Sequence, residues 1–144
     1  MDLKTTSLAV LGTGLNNTET ITQLQVNGTI YDAAVGNVAT ADRSINLGVI
    51  RVGGTFASRN IAITNDVASS NWAETLRASF DLANTSASIT ATGSFSGLAT
   101  GVGANNALAV TINTTATAGV VGGSARIGFM TEEVNGSGLD RKST

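Results

Sequence analysis

The chain has 144 residues, which suits one domain, and carries a formal net charge of -2 from ten acidic and eight basic residues. Only 12% of residues are charged and no block of like charges occurs, which excludes a nucleic-acid footprint. Cysteine and histidine are both absent, which removes disulfides, thiolate chemistry, most zinc sites and every histidine-based triad.

Thr (21), Ser (13), Asn (13) and Gly (17) take the place of charge. Thr favours pleated surfaces, while Asn and Gly favour turns. The mixture is typical of exposed all-β modules on bacterial cell surfaces. The first residues, MDLKTTSLAV, contain no continuous apolar run of the kind a signal peptide needs. No window holds 18 apolar residues in a row, so no membrane span is expected. The chain is read as cytosolic, or as a mature or excised piece of something larger.

In chain order, the first apolar positions are Leu8, Val10 and Ile21, followed by Leu24, Val26 and Ile30, which share one face of an extended segment. Tyr31 ends this N-terminal segment (1–32), and 33–44 reads as a linker to a main domain at 45–144. That domain opens on INLGVIRVGG (45–54), where Ile45, Leu47 and Val49 have one parity and Ile50 and Val52 the other. A strand that changes face needs a β-bulge or a jump between sheets, and Gly48 permits either. Ile61 and Ile63 come next. Asn71 and Glu74 have capping-box spacing, so either a helical turn or an irregular loop fits there, with Trp72 capping the core.

Alternation then recurs at Leu76, Ala78, Phe80 and Leu82; at Ile89, Ala91 and Phe95; at Leu108, Val110 and Ile112; and at Ala125, Ile127 and Phe129. Turn signals separate the runs, among them Asn27-Gly28, Ser96-Gly97, the 101–106 loop and Gly122-Gly123. Seven or eight short strands with one polar face predict two antiparallel sheets packed as a β-sandwich.

The 45–53 segment resembles the L-x-F-G-x-V-x-V-G opening of Hydin-like immunoglobulin-fold domains, and Asn60 to Asn65 is similar to their second strand. ETLRAS (74–79), GSFSGL (93–98) and GSGL (136–139) resemble segments of the bacterial choice-of-anchor D proteins. Leu47 stands where Phe is usual, and Asp140 where Gly is usual. The resemblance implies exported or surface-anchored repeat domains with an immunoglobulin-like sandwich of about 7–8 strands, and no catalytic residues. In that family a segment like VNGTIY closes a repeat after the GSGL turn. Here it comes first, at 26–31, and GSGL comes last. Three arrangements follow: the N-terminal segment fills the vacant strand position of its own domain, or that of a neighbouring copy, or it is the tail of an excised tandem repeat.

No catalytic, cofactor-binding or metal-binding residues are expected. Glu132 and Glu133, the one adjacent carboxylate pair, would point to opposite faces of a strand and read as a solvated loop face. The principal expectation is a non-enzymatic, exported structural subunit joined to copies of itself through Leu8, Val10, Ile21, Leu24, Val26 and Ile30. The alternative is a monomeric adhesin-like module binding carbohydrate or protein through Tyr31, Trp72, Asn105 and Asn106.

Overall fold

The computed structural model describes residues 2–7, 18–68, 71–134 and 142–143. The chain divides into two units, Met1–Ile30 and Tyr31–Thr144. In the first, β1 (Asp2–Ser7) pairs antiparallel with β2 (Thr18–Gln23). Leu3 lies opposite Thr22 and Ile21 opposite Lys4, so the two apolar side chains stand on different faces, and both are exposed. Its described residues form no apolar face to bury.

The second unit holds the predicted sandwich. One sheet has the order β3 (Gly36–Val38), β4 (Arg59–Asn65), β8 (Asn105–Ile112), β6 (Ile89–Thr92). The other has the order β10 (Lys142–Ser143), β9 (Arg126–Glu132), β5 (Thr75–Asp81), β7 (Ser94–Leu98). Every ladder is antiparallel. The core contains Ala34, Ile61, Ile63, Leu76, Ala78, Leu98 and Leu108, flanked by Phe80, Phe95, Val110, Ile127 and Phe129. Apart from Ala34 and Leu98, these are the inward parities of the alternating runs, as expected for half-buried strands.

Four features differ from the sequence reading. The 45–52 segment is not a strand. Gly48 and Gly53 take φ of +85° and +77°, and the Asn46 side-chain oxygen accepts the Gly48 N–H at 2.8 Å. A side chain that satisfies the backbone locally removes it from a ladder. Second, 33–44 is no linker: Ala34 is buried and Gly36–Val38 is a strand. Gly36 is required because a Cβ would overlap the Phe129 ring from the opposite sheet.

Third, Trp72 is 52% exposed rather than a core lid, on a stretch, Asn71 to Glu74, that takes the irregular form of the two expected. Fourth, a bulge stands where the sequence reads as a turn. Leu76 pairs with Leu98 but Ala78 with Phe95, so Ser96 and Gly97, read as a turn, insert an extra residue into β7. Gly97 has φ +69° there.

The β3–β4 ladder stops where Asp42 reaches it. Its carboxylate accepts the Ala62 N–H at 2.9 Å and faces Arg59 Nη2 at 3.3 Å. Asn37 and Thr64 each donate to Asp66 at 2.6 Å, Thr64 exerting the larger effect, and together they hold that carboxyl below the usual carboxylate range.

Gly93 carries the chain from β6 in one sheet to β7 in the other, with φ +97° and its α-carbon against Ala107. A Cβ there would overlap the Ala107 carbonyl oxygen. Gly93→Ala should destabilise the fold by at least about 1–3 kcal/mol from backbone strain alone. Urea denaturation followed by circular dichroism checks this; Gly122→Ala, whose Cβ would meet nothing within 4 Å, should change little.

Candidate functional site

The two ends of the sandwich differ. At one end β5 begins, β9 finishes and the chain enters through Tyr31 and Asp32. Asp32 N donates to Trp72 O at 2.8 Å, Glu74 N donates to Asp32 O at 2.9 Å, and Asp32 bridges Ala73. The Tyr31 and Trp72 rings meet edge to face, centroids 5.6 Å apart at 83°.

Asn65 fastens this end. It is 4% exposed. Its Oδ1 accepts Val35 N at 3.0 Å, and its Nδ2 donates to Glu74 O and Leu98 O, both at 3.1 Å. One amide thus ties β4 to the start of β5 and the finish of β7 in the opposite sheet. Glu74 is fully buried; its Oε2 accepts Val134 N at 2.5 Å, while Oε1 has no partner among the described residues. Glu132 is also engaged rather than solvated. Its carboxylate accepts Gly97 N at 2.6 Å and lies 3.6 Å from Arg77 Nε, so it holds the β7 bulge.

At the opposite end the fastening is confined to one side, where Ser86 N donates to Ser124 O at 2.8 Å, Ser124 N to Ser86 Oγ at 2.9 Å and Ser88 Oγ to Gly122 O at 2.8 Å. A groove of about 650 Å³ opens between the sheets, walled by the 42–52 and 114–125 segments. Its floor includes Ile45, Ile61, Phe80, Val110 and Ile127. Its rim carries Val49 (97% exposed), Val52 (60%) and Val120 (106%). Gly53 N donates to Thr115 O at 2.9 Å, and Thr111 Oγ1 donates to Phe56 O at 3.1 Å, which join the two walls to the sheet. Exposed apolar side chains around an apolar cleft mark an interaction surface.

Lys142 and Ser143 pair with Met130 and Phe129 on the side of β9 away from β5, and Arg126 N donates to Thr85 Oγ1 at 3.4 Å. The corresponding edge of β4 is occupied by Asp42.

The residues singled out as a subunit seam separate into three groups. Leu8 and Val10 lie outside the described residues. Ile21 belongs to β2. Leu24, Val26 and Ile30 lie in a segment with no strand partner among the described residues and are 54%, 77% and 89% exposed. Of the alternative ligand contacts, Tyr31 and Trp72 do meet. Asn105 and Asn106 begin β8, where Asn105 Oδ1 accepts Ala107 N at 2.9 Å and Asn106 Nδ2 donates to Ala104 O at 3.5 Å. Both amides are engaged with their own loop.

The groove was missed from sequence because its floor residues read as ordinary core positions. The one signal was the parity slip in 45–52. Among the described residues no group of three or more acidic, Cys or His side chains is gathered as a metal site, and no helix is long and apolar enough to cross a membrane. No family model, curated protein or solved structure matches the chain, so the likeness to choice-of-anchor D domains rests on its motifs alone.

Removing the Asn65 amide leaves Val35 N, Glu74 O and Leu98 O unpaired in a buried place. Asn65→Ala should cost about 2–4 kcal/mol, since each abandoned buried polar group costs about 1–3 kcal/mol and water will reach some of them. Thermal and urea unfolding measure the loss.

Proposed function

We propose that this protein is a non-enzymatic structural subunit that joins copies of itself head to tail by donating its N-terminal strand. The observation that carries the reading is the state of residues 24–30. Leu24, Val26 and Ile30 have the period-two spacing of a strand, yet they are exposed and unpaired. An extended segment with alternate apolar side chains is what strand addition uses: main-chain bonds supply affinity and the side chains fill pockets. The low charge and the abundance of Thr, Ser and Asn support an extracellular or cell-surface setting, as does the likeness to exported repeat domains. The product would be a fibre or surface array resisting dissociation through paired strands.

One observation favours a second reading, a monomeric adhesin-like module. The Tyr31–Trp72 pair presents a half-exposed indole, the kind of surface that stacks on a sugar or a peptide.

The two readings part on simple measurements. Purified protein should form extended polymers in negative-stain microscopy. Leu24→Asp and Val26→Asp should abolish them while circular dichroism and the unfolding midpoint stay unchanged, because these side chains are exposed in the single chain. A monodisperse species near 14.5 kDa for the unaltered protein sinks strand donation. Trp72→Ala, by contrast, should leave polymers intact and would abolish binding only under the adhesin reading.

A further inference from the structure

We propose that Asn27-Gly28 is a self-modification site, at which the folded chain converts Asn27 into aspartate and isoaspartate through a cyclic imide. The reaction is independent of strand donation.

The dipeptide reads as a turn signal, yet the structure gives it no turn: 24–30 run without regular structure between β2 and Tyr31. Asn27 and Gly28 are both exposed, as are Val26 at 77% and Ile30 at 89%. Neither Asn27 nor Gly28 makes a hydrogen bond to a described residue. A backbone N–H without a protein partner is held only by water. Gly28 has no Cβ to hinder the approach of its nitrogen to the Asn27 side chain, and nothing stands within 4 Å of where a Cβ would be. Ring closure needs these three things together: a free side-chain amide, a following nitrogen that carries no other bond, and a backbone able to rotate.

Asn27 is the one described asparagine that precedes a glycine. Others are restrained. Asn46 Oδ1 accepts Gly48 N at 2.8 Å, and the bulky Leu47 follows it. Asn113 Nδ2 donates to Ala87 O at 3.1 Å. Asn37 is fixed in β3 between Arg43 and Asp66.

The chemistry balances with water alone. Gly28 N, having lost its proton to base, attacks Asn27 Cγ. The N–Cγ bond forms, the Cγ–Nδ2 bond breaks, and ammonia leaves with a proton taken from water. The product is a succinimide ring. Water then opens either of its two carbonyls, which yields aspartate or isoaspartate.

Either product sets a carboxylate among Leu24, Val26 and Ile30, in a stretch, 24–30, that holds no charged residue. Isoaspartate also routes the main chain through its own Cβ, which adds a backbone atom between Val26 and Ile30. A period-two stripe survives only where every residue advances the pleat equally. Leu24 and Val26 then keep their common face, and Ile30 loses it. The site is a one-way device that removes the strand pattern of this segment with age.

The test follows the full chain at mildly alkaline pH, at a dilution where size-exclusion chromatography shows single molecules. Proteolysis after Glu19 and Asp32 releases 20–32, whose single asparagine is Asn27. Mass spectrometry with electron-transfer fragmentation reads the exchange of NH2 for OH and separates isoaspartate from aspartate. Peptide 20–32 should be modified ahead of peptides carrying Asn37, Asn46 or Asn113, and at the rate found in urea, because the fold does not restrain it. Gly28→Ala, whose Cβ meets nothing within 4 Å, should leave the unfolding midpoint unchanged and slow the reaction about tenfold or more. A native chain whose 20–32 reacts much more slowly than in urea overturns the proposal, and so does a Gly28→Ala chain that reacts as fast as the unaltered one. Microscopy of concentrated protein judges strand donation separately, so either reading can fail alone.

Discussion

The side-chain amide of Asn65 is the constraint on which the rest of the sandwich depends. A strand terminus normally leaves the two sheets free to splay. Here three hydrogen bonds from one nearly buried residue hold β4, the start of β5, the finish of β7 and the entering chain in a single place. Glu74 extends that seal through Val134, and Glu132 extends it through the bulge at Gly97. All these groups lie at one end. Apolar burial holds the middle of the sandwich, but directional polar bonds decide which end is shut.

The other end is open for reasons equally local. Asp42 takes the Ala62 N–H, and Arg59 closes on Asp42, so β3 cannot be extended along β4. The chain then passes into a segment whose backbone bonds are partly internal, Asn46 to Gly48 and Arg51 to Gly54. It lines the cleft and meets the facing wall through the bond from Gly53 N to Thr115 O. Ile45 reaches the core, whereas Val49 and Val52 remain in solvent. The apolar residues of 45–52 thus border a groove instead of closing it, which leaves an exposed apolar rim on a chain otherwise rich in Thr, Ser and Asn.

The legible parts of the fold were those where burial on one face dominates. β4, β5, β8 and β9 follow from alternation at Ile61/Ile63, Leu76/Ala78/Phe80, Leu108/Val110 and Ile127/Phe129, because a one-residue slip would expose every one of these side chains. β3 was not legible. Gly36, Asn37 and Val38 carry no alternation, and the strand exists because a glycine lets the Phe129 ring lie on it. The parity slip in 45–52 was a true signal read wrongly: it marks a departure from strand, enforced by Asn46 and two glycines of positive φ. Gly97 misled in the opposite sense. Its Ser-Gly context reads as a turn, while the carboxylate of a distant residue, Glu132, keeps it inside a sheet. Asn65 reads from sequence only as the last residue of a strand, since its three partners are separated from it by up to 33 positions.

The spacing of Leu24, Val26 and Ile30 reads as one face of an extended segment, and the structure leaves all three side chains exposed. The groove was invisible in the sequence, because it is made of residues from both sheets whose common end only the topology brings together. An exposed apolar segment and an exposed apolar cleft each leave hydrocarbon in water, at roughly 25 cal/mol per Å² of area that could be buried.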